Sequence, residues 1–334
     1  MTMAAPAVNV LIEASQFPDR VAGELKQSLR NREVNPKFHY ESYKQAQKWL
    51  ALHRAYSPFH TDAKCADVYG ECFRAAAARR ESPSAHVIGL GCGSGEKDRQ
   101  LLHRLRRRGV EVWYSPVDVS LPLVLTAHET ATREIAANHC QPIVCDLLQA
   151  EDLPALVGRH APQDAARLVT FFGMMPNFDP AQILPRLTSL LQPDDLLLLS
   201  ANLAPGENYE EGTRAILPLY DNGETRDWLL TFLFDLGVEA GDGELRFSVE
   251  DFSGNLKAVV ARFHFRRSRT FQVWGETFAF EPNDAIRLFF SCRHTPEIVR
   301  TLFRAHGFVV EGQWLNDAKE EGVFLARKQG PALV

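Results

Sequence analysis

Between residues 86 and 97 the chain reads His86-Val-Ile-Gly-Leu90, Gly91-Cys-Gly-Ser-Gly95, Glu96-Lys97. A short apolar run enters a glycine turn, and a charged helix leaves it. Glycine lets the backbone turn back tightly and approach a ligand, because it has no Cβ to clash and reaches positive φ. The helix expected over 96–108 then points its free N–H groups at whatever the turn holds. This is the chemistry of a nucleotide cradle, set against the plainer reading of a tight strand-to-helix turn with no ligand. The dinucleotide frame G-x-G-x-x-G does not fit. Counted from Gly89 its sixth position is Ser94, and counted from Gly91 it is Glu96. A carboxylate at the helix start would also serve a pyrophosphate badly.

Three further groups could act with this loop. Asp118 falls 27 residues beyond Gly91, at the end of the second expected strand, where a doubly wound sheet places the acid that takes ribose hydroxyls. Asp146-Leu147 follows the third strand and suits adenine: a carboxylate for the exocyclic amine, a backbone N–H and an apolar face. Lys97 could reach a carboxylate. Gly173-Met-Met-Pro-Asn177-Phe178 follows the fourth strand, at the switch point where open sheets bind ligands. Asn177 there offers a carbonyl and an amide to a reacting nitrogen. Each has a blander reading: a turn aspartate, a turn asparagine, a solvated helix lysine.

The elements that position these groups alternate regularly from Ser84 onward, as in a parallel sheet covered on both faces. Strands are expected at 86–90, 110–116, 142–144, 167–172 and 195–201, with helices at 96–108, 122–137 and 180–191. Before them come a short strand at 8–14, a helix at 18–29 and an aromatic, proline-broken stretch with a helix at 43–53. Regularity stops at about Pro205. A helix at 213–234 and strands at 245–252, 257–266, 270–280 and 285–292 read as an inserted α+β unit. A helix at 296–305 and a hairpin of 308–314 with 323–328 close the chain.

A chain of 334 residues allows about two domains. A net charge of -5 argues against a nucleic-acid or anionic-membrane surface and for a small-molecule partner. The basic run Arg104-Leu-Arg-Arg-Arg108 closes a helix before Gly109, where cations complement the dipole. The cysteines at 65, 72, 92, 140, 145 and 292 show no C-x-x-C spacing, and the histidines form no H-E-x-x-H cluster, so no metal site is expected. Met1 to Val10 lacks a basic n-region and no apolar run approaches a membrane span, so a cytoplasmic protein is expected. No sequence feature speaks to an oligomeric state.

The G-x-G-x-G loop with an acid directly after it resembles the S-adenosylmethionine loop of the Rossmann-like (class I) methyltransferases. More of the chain is similar to one branch, the histidine Nα-methyltransferases of ergothioneine biosynthesis. The likeness rests on Pro36-Lys-Phe-His-Tyr40, the Tyr56 segment, the 91–97 loop, Tyr114-Ser-Pro-Val-Asp-Val-Ser120, Gly173 to Phe178, Leu219-Tyr-Asp-Asn222, Gly275-Glu276 and Ile286 to Arg293. It implies an α/β fold: a class I Rossmann-like methyltransferase with a seven-stranded sheet and an inserted α+β substrate domain. The cofactor domain would comprise 61–204 plus 293–334, and the substrate domain 1–60 plus 205–292. S-adenosyl-L-methionine would be held by Gly91, Gly93, Gly95, Lys97, Asp118, Asp146 and Leu147. Tyr40, Tyr56, Asn177 and Tyr220 would grip an amino acid's amino and carboxylate groups, with Asn177 and Tyr40 at the reacting nitrogen and Gly173 beside them.

One departure bears on the acceptor. In the family an I-R-T-E-x-S stretch reads the imidazole through its Glu and Ser. This chain has Ile286-Arg-Leu-Phe-Phe-Ser291, which keeps Ser291 and puts Phe289 in place of the Glu. An imidazole N–H facing Phe289 forgoes a charge-assisted hydrogen bond worth roughly 1.5–3 kcal/mol. The resemblance therefore implies an N-methyltransferase acting on an amino acid or small amine other than histidine. A histidine enzyme with an altered pocket, a cofactor-binding protein without turnover and, disfavoured by the glycine frame, a nicotinamide oxidoreductase are the alternatives. Met174-Met175-Pro176 also departs from the family's smaller residues, so the wall beside Asn177 is expected to differ.

Overall fold

A computed structural model describes residues 7–79 and 82–330; the first six residues of the apolar N-terminal stretch, and the ends of the expected domains at 1–6 and 331–334, lie outside it. The chain begins with β1 (Leu11–Ile12), α1 (Pro18–Asn31), α2 (Tyr43–Tyr56), α3 (Pro58–Thr61) and α4 (Ala63–Ala78). The alternating segment follows as β2 (Ser84–Leu90), α5 (Glu96–Arg107), β3 (Glu111–Asp118), α6 (Leu121–Ala131), β4 (Ile143–Val144), α7 (Leu153–Val157), β5 (Ala166–Phe171), α8 (Pro180–Leu190) and β6 (Leu196–Asn202). Then come α9 (Tyr209–Ala215), α10 (Gly223–Asp235), β7 (Gly243–Phe252), β8 (Leu256–Phe265), β9 (Arg269–Val273), β10 (Glu276–Phe280) and β11 (Ala285–Arg293). The closing elements are α11 (Pro296–Ala305), β12 (Phe308–Leu315) and β13 (Glu321–Lys328).

Among the described residues eight strands form the large sheet, in the order β1-β4-β3-β2-β5-β6-β13-β12. Only β13 runs against the rest, pairing antiparallel with β6 on one side and β12 on the other. Side chains alternate across it: Ala85 and Val87 pack on one face, Ile88 and Leu90 on the other, each under its own helices. The order reverses between β2 and β5, which sets the crevice at Gly91 and Gly173. The expected seven strands become eight because β1 pairs with the two-residue edge strand β4, Leu11 opposite Ile143 and Ile12 opposite Val144. That covers an edge with little pairing of its own. Residues 11–12 of the segment 1–60 thus pair with the large sheet.

The inserted segment builds a three-stranded antiparallel sheet, β11-β8-β7, and a separate hairpin, β10-β9. The single strand expected at 270–280 is this hairpin, turned at Trp274 and Gly275, both at positive φ. The single helix expected at 213–234 is two helices, because Pro218 cannot donate to a helical ladder and Asn222 caps a new start by accepting from the Thr225 N–H at 2.8 Å. Tyr220 sits in that break. The helix α4, which precedes the regular alternation, packs Tyr69, Cys72 and Phe73 fully buried against the sheet. No helix of the described residues is long and apolar enough to cross a membrane.

Candidate active site

A cleft of about 920 Å³ runs from the carboxyl ends of β2 to β5 to the concave side of the inserted unit. Glycines 91, 93 and 95 adopt φ of 63°, 53° and 73°. Gly91 and Gly93 line the cleft. Gly95 does not; it caps α5, where a Cβ would meet the Ala127 backbone at 2.9 Å. Its lack of a side chain lets α6 pack closely against the start of α5. A Cβ on Gly91 would fall 2.2 Å from the Met174 sulfur, and one on Gly93 2.7 Å from the Trp49 ring. The non-family residue Met174 thus lies directly against the loop.

Asp118 is 8% exposed. Its carboxylate accepts from the N–H groups of Gly93 at 3.1 Å and Ser120 at 3.0 Å, and burial lifts its pKa to about 6. Under the loop, buried Asp98 accepts from the Tyr114 hydroxyl at 2.6 Å and the Thr170 hydroxyl at 2.7 Å. Asp98 is not among the expected site residues, although a carboxyl three residues past Gly95, in the first turn of α5, is a local signal for it. Asp146 and Leu147 line the cleft beyond β4. Asp146 accepts from the Leu148 N–H and is paired at 3.2 Å with Lys37, which also meets Glu24 at 2.8 Å. That pairing across 109 residues had no local signature. Lys97 lines the cleft too, but its carboxylate is the protein's own: the ammonium donates to Tyr69 at 2.9 Å, lies 4.0 Å from Glu321 and covers the Tyr69 ring.

The other half of the cleft is aromatic. Tyr40 packs edge-on against Trp49 and Trp228, and Trp228 and Tyr220 both meet Phe289 at ring separations of about 6 Å. Burial, and then the Asp118 charge, push the Tyr40 phenol well above its usual range. Tyr56 is half exposed and donates to Glu224 at 2.7 Å. Asn177 lies at the rim, its amide 3.4 Å from the carbonyl of Gly173. A bulge at Leu288 resets β11, so Phe289 and Ser291 both line the cleft. The Ser291 and Tyr220 hydroxyls are 2.9 Å apart. No cluster of metal-ligating side chains occurs among the described residues.

Residues 25–328 match the family described as histidine-specific, SAM-dependent methyltransferases. The chain belongs to that family. It is 25% identical over 262 residues to the histidine N-alpha-methyltransferase of Mycobacterium tuberculosis (strain CDC 1551 / Oshkosh), covering 72% of this chain and 75% of that one. Among solved structures it is similar to the magnesium protoporphyrin IX methyltransferase of Synechocystis PCC 6803 with bound SAH (15% identity, 89% and 98% of the chains, TM-score 0.46). It is also similar to the Burkholderia thailandensis 1,6-didemethyltoxoflavin-N1-methyltransferase (14% identity, 85% and 91%, TM-score 0.41). The protein is thus an S-adenosylmethionine-dependent methyltransferase acting on a small molecule. The cleft fits that cofactor: a positive-φ glycine loop, a buried carboxylate at the end of β3 and an apolar residue after β4 open on one cavity.

Proposed function

We propose that this methyltransferase acts on the amino nitrogen of an amino acid or related small amine other than histidine. The observation that carries the reading is Phe289, which faces the cleft beside Ser291 between Tyr220 and Trp228. A phenyl ring there offers an aromatic or apolar side chain a wall and an imidazole N–H no acceptor. Gly91, Gly93, Asp118, Asp146 and Leu147 would hold the cofactor, which would supply an activated methyl group on sulfur.

The remaining work falls to side chains that position and desolvate the amine. Tyr40 keeps its proton, since its pKa is raised, so its hydroxyl oxygen orients the amine by accepting from an N–H. Asn177 accepts from an amine N–H and aims the lone pair, with Gly173 leaving room beside it. Tyr56 and Tyr220 hold the rest of the acceptor. Burial keeps His53 neutral, with a pKa of about 3, and His39 likewise at about 4, so neither is an imidazolium at working pH. The amine gives its proton to solvent, which makes turnover rise with pH until the free amine predominates. The aromatic faces then meet the positive charge that arrives on nitrogen.

The test is transfer from methyl-labelled cofactor to a panel of amino acids and amines that includes histidine. Label is expected on at least one apolar or aromatic amino acid, with histidine slower. Histidine as the best acceptor, or no labelled small product, would overturn the reading.

A further inference from the structure

Helix α5 enters the cleft only at its start, through Glu96, Lys97 and Asp98. Its other side forms a second, open groove of about 730 Å³ against α4, and the two cavities share no residue. Five arginines line the groove: Arg74 from α4, Arg99, Arg104 and Arg107 from α5, and Arg108 at the α5 C-terminal cap. Residues 99, 103 and 107, with 100, 104 and 108, make two adjacent rows on one helix face. No acid lines the groove among the described residues.

Counter-charge sets this face apart. Surface arginines elsewhere are matched by acids: Arg226 with Asp221 at 2.6 Å, Arg262 with Glu250 at 2.8 Å and Arg327 with Asp194 at 3.0 Å. In the groove Arg74 meets Glu71 at 2.5 Å, and Arg99 and His103 share Glu134 at 2.8 Å each. Arg104, Arg107 and Arg108 pair with no carboxylate among the described residues. Three unmatched cations therefore stand within five positions of a chain whose net charge is -5. The helix dipole favours cations in the last turn of α5, but it explains neither Arg99 in the first half nor Arg74, which arrives from another helix. The packing also makes room for them. Gly70 lies inside α4, where glycine is unfavourable, and a Cβ there would stand 3.1 Å from Nη2 of Arg104. Half-buried Arg104 is thereby laid across α4 beside Arg74.

We propose that the groove between α4 and the C-terminal half of α5 is a binding site for a compact polyanion, a chain of two or three phosphate groups. Guanidinium forks take phosphate oxygens bidentately, and several of them on one wall suit adjacent phosphates. The acidic balance of the rest of the chain repels an extended polyanion such as nucleic acid, whereas a short phosphate chain needs only the groove. The phosphates belong either to an inorganic chain or to the tail of a nucleotide, and the probes separate these. The site is independent of which acceptor the cleft methylates.

Binding of tripolyphosphate and of ATP, without magnesium, would be measured by calorimetry with the cleft saturated by S-adenosylhomocysteine. Tripolyphosphate binding as tightly as ATP would show that the phosphates alone are read; tighter ATP would show that the nucleoside is read too. The paired substitution Arg107→Gln with Arg108→Gln, both at exposed positions, should weaken binding by about tenfold or more, and Arg104→Gln should do so alone. Arg104→Lys, which keeps the charge without the fork, should retain part of the affinity. Arg186→Gln, an exposed change on α8, should have no effect. Raising the salt from about 0.1 M to about 1 M, which shortens the screening length from about 10 Å to about 3 Å, should weaken binding in the wild type far more than in the paired variant. No binding of either probe, affinity unchanged in both groove variants, or an equal loss in Arg186→Gln would overturn the proposal. So would binding seen only when S-adenosylhomocysteine is absent, which would place the anion in the cleft. A hexaglutamate peptide binding as tightly as tripolyphosphate would overturn it in favour of an acidic protein segment.

Discussion

The two halves of the cleft are made in different ways. The cofactor half is local backbone: two glycines at positive φ within three residues, and a carboxylate held by the N–H groups of Gly93 and Ser120. The acceptor half is assembled from afar, with Tyr40, Tyr220 and Phe289 brought into one aromatic wall by a helix break, a bulge and a separate sheet. Backbone geometry admits little variation, so the first half keeps its ligand. Side-chain identity on a strand changes by single substitutions, so the second half can change its ligand while the fold stays.

The sharpest way to break that contrast is at the loop. Gly91→Val puts a β-branched residue at φ 63° and drives it into Met174. Affinity for S-adenosylhomocysteine should fall by about a hundredfold or more, equivalent to roughly 2.7 kcal/mol, while circular dichroism shows an intact fold. Asp118→Asn should come next, with about tenfold weaker binding of the same ligand by calorimetry at pH 8. The same substitution should raise the melting temperature of the ligand-free protein at pH 8 and not at pH 4. Folded Asp118 has a pKa of about 6 against an ordinary 3.8. The folded state therefore keeps its proton where the unfolded chain has lost it. The favourable contribution is present below about pH 4 and is lost as pH rises through 6. Wild-type affinity should fall with pH through the same window, and the variant's should not.

The acceptor half should respond in kind rather than collapse. Phe289→Glu should strengthen histidine binding by about tenfold, measured with S-adenosylhomocysteine present, and lower thermal stability because a carboxylate is buried between Tyr220 and Trp228. An unchanged preference would mean that Phe289 is packing alone. The smallest effect is expected from Met174→Ala. It empties space against Gly91 and should change cofactor affinity by about fivefold or less while widening the range of acceptors. A large loss there would show that Met174 belongs to the cofactor half.

Much of this was legible in the chain because parallel strands and glycine turns leave local marks. The run from Ser84 to Ala201 alternates strand and helix with signals that fall on the observed elements, and Asp118 and Asp146, singled out by their places at strand ends, both line the cleft. Other features left no such mark. Helix α4 is marked only by Asp62, which accepts from the Lys64 N–H at 2.9 Å, and the breaks at Pro218 and Trp274 fall inside otherwise continuous patterns. Lys37 meets Asp146, and Lys97 meets Glu321, only because distant segments converge. Gly95 stands in the same frame as Gly91 and Gly93, and only the fold shows that α6 packs directly against it.

The amino-acid sequence by itself determined the cofactor class, since φ-permissive residues in a fixed frame and acids at strand ends are constraints carried within a few positions. Tertiary structure alone decided what the acceptor meets. Phe289 becomes a pocket wall only because a bulge turns it toward Tyr220 and Trp228, and the α5 arginines form a groove only where Arg74 of α4 joins them. Burial and counter-charge are properties of the assembled fold, and they give a side chain its chemistry.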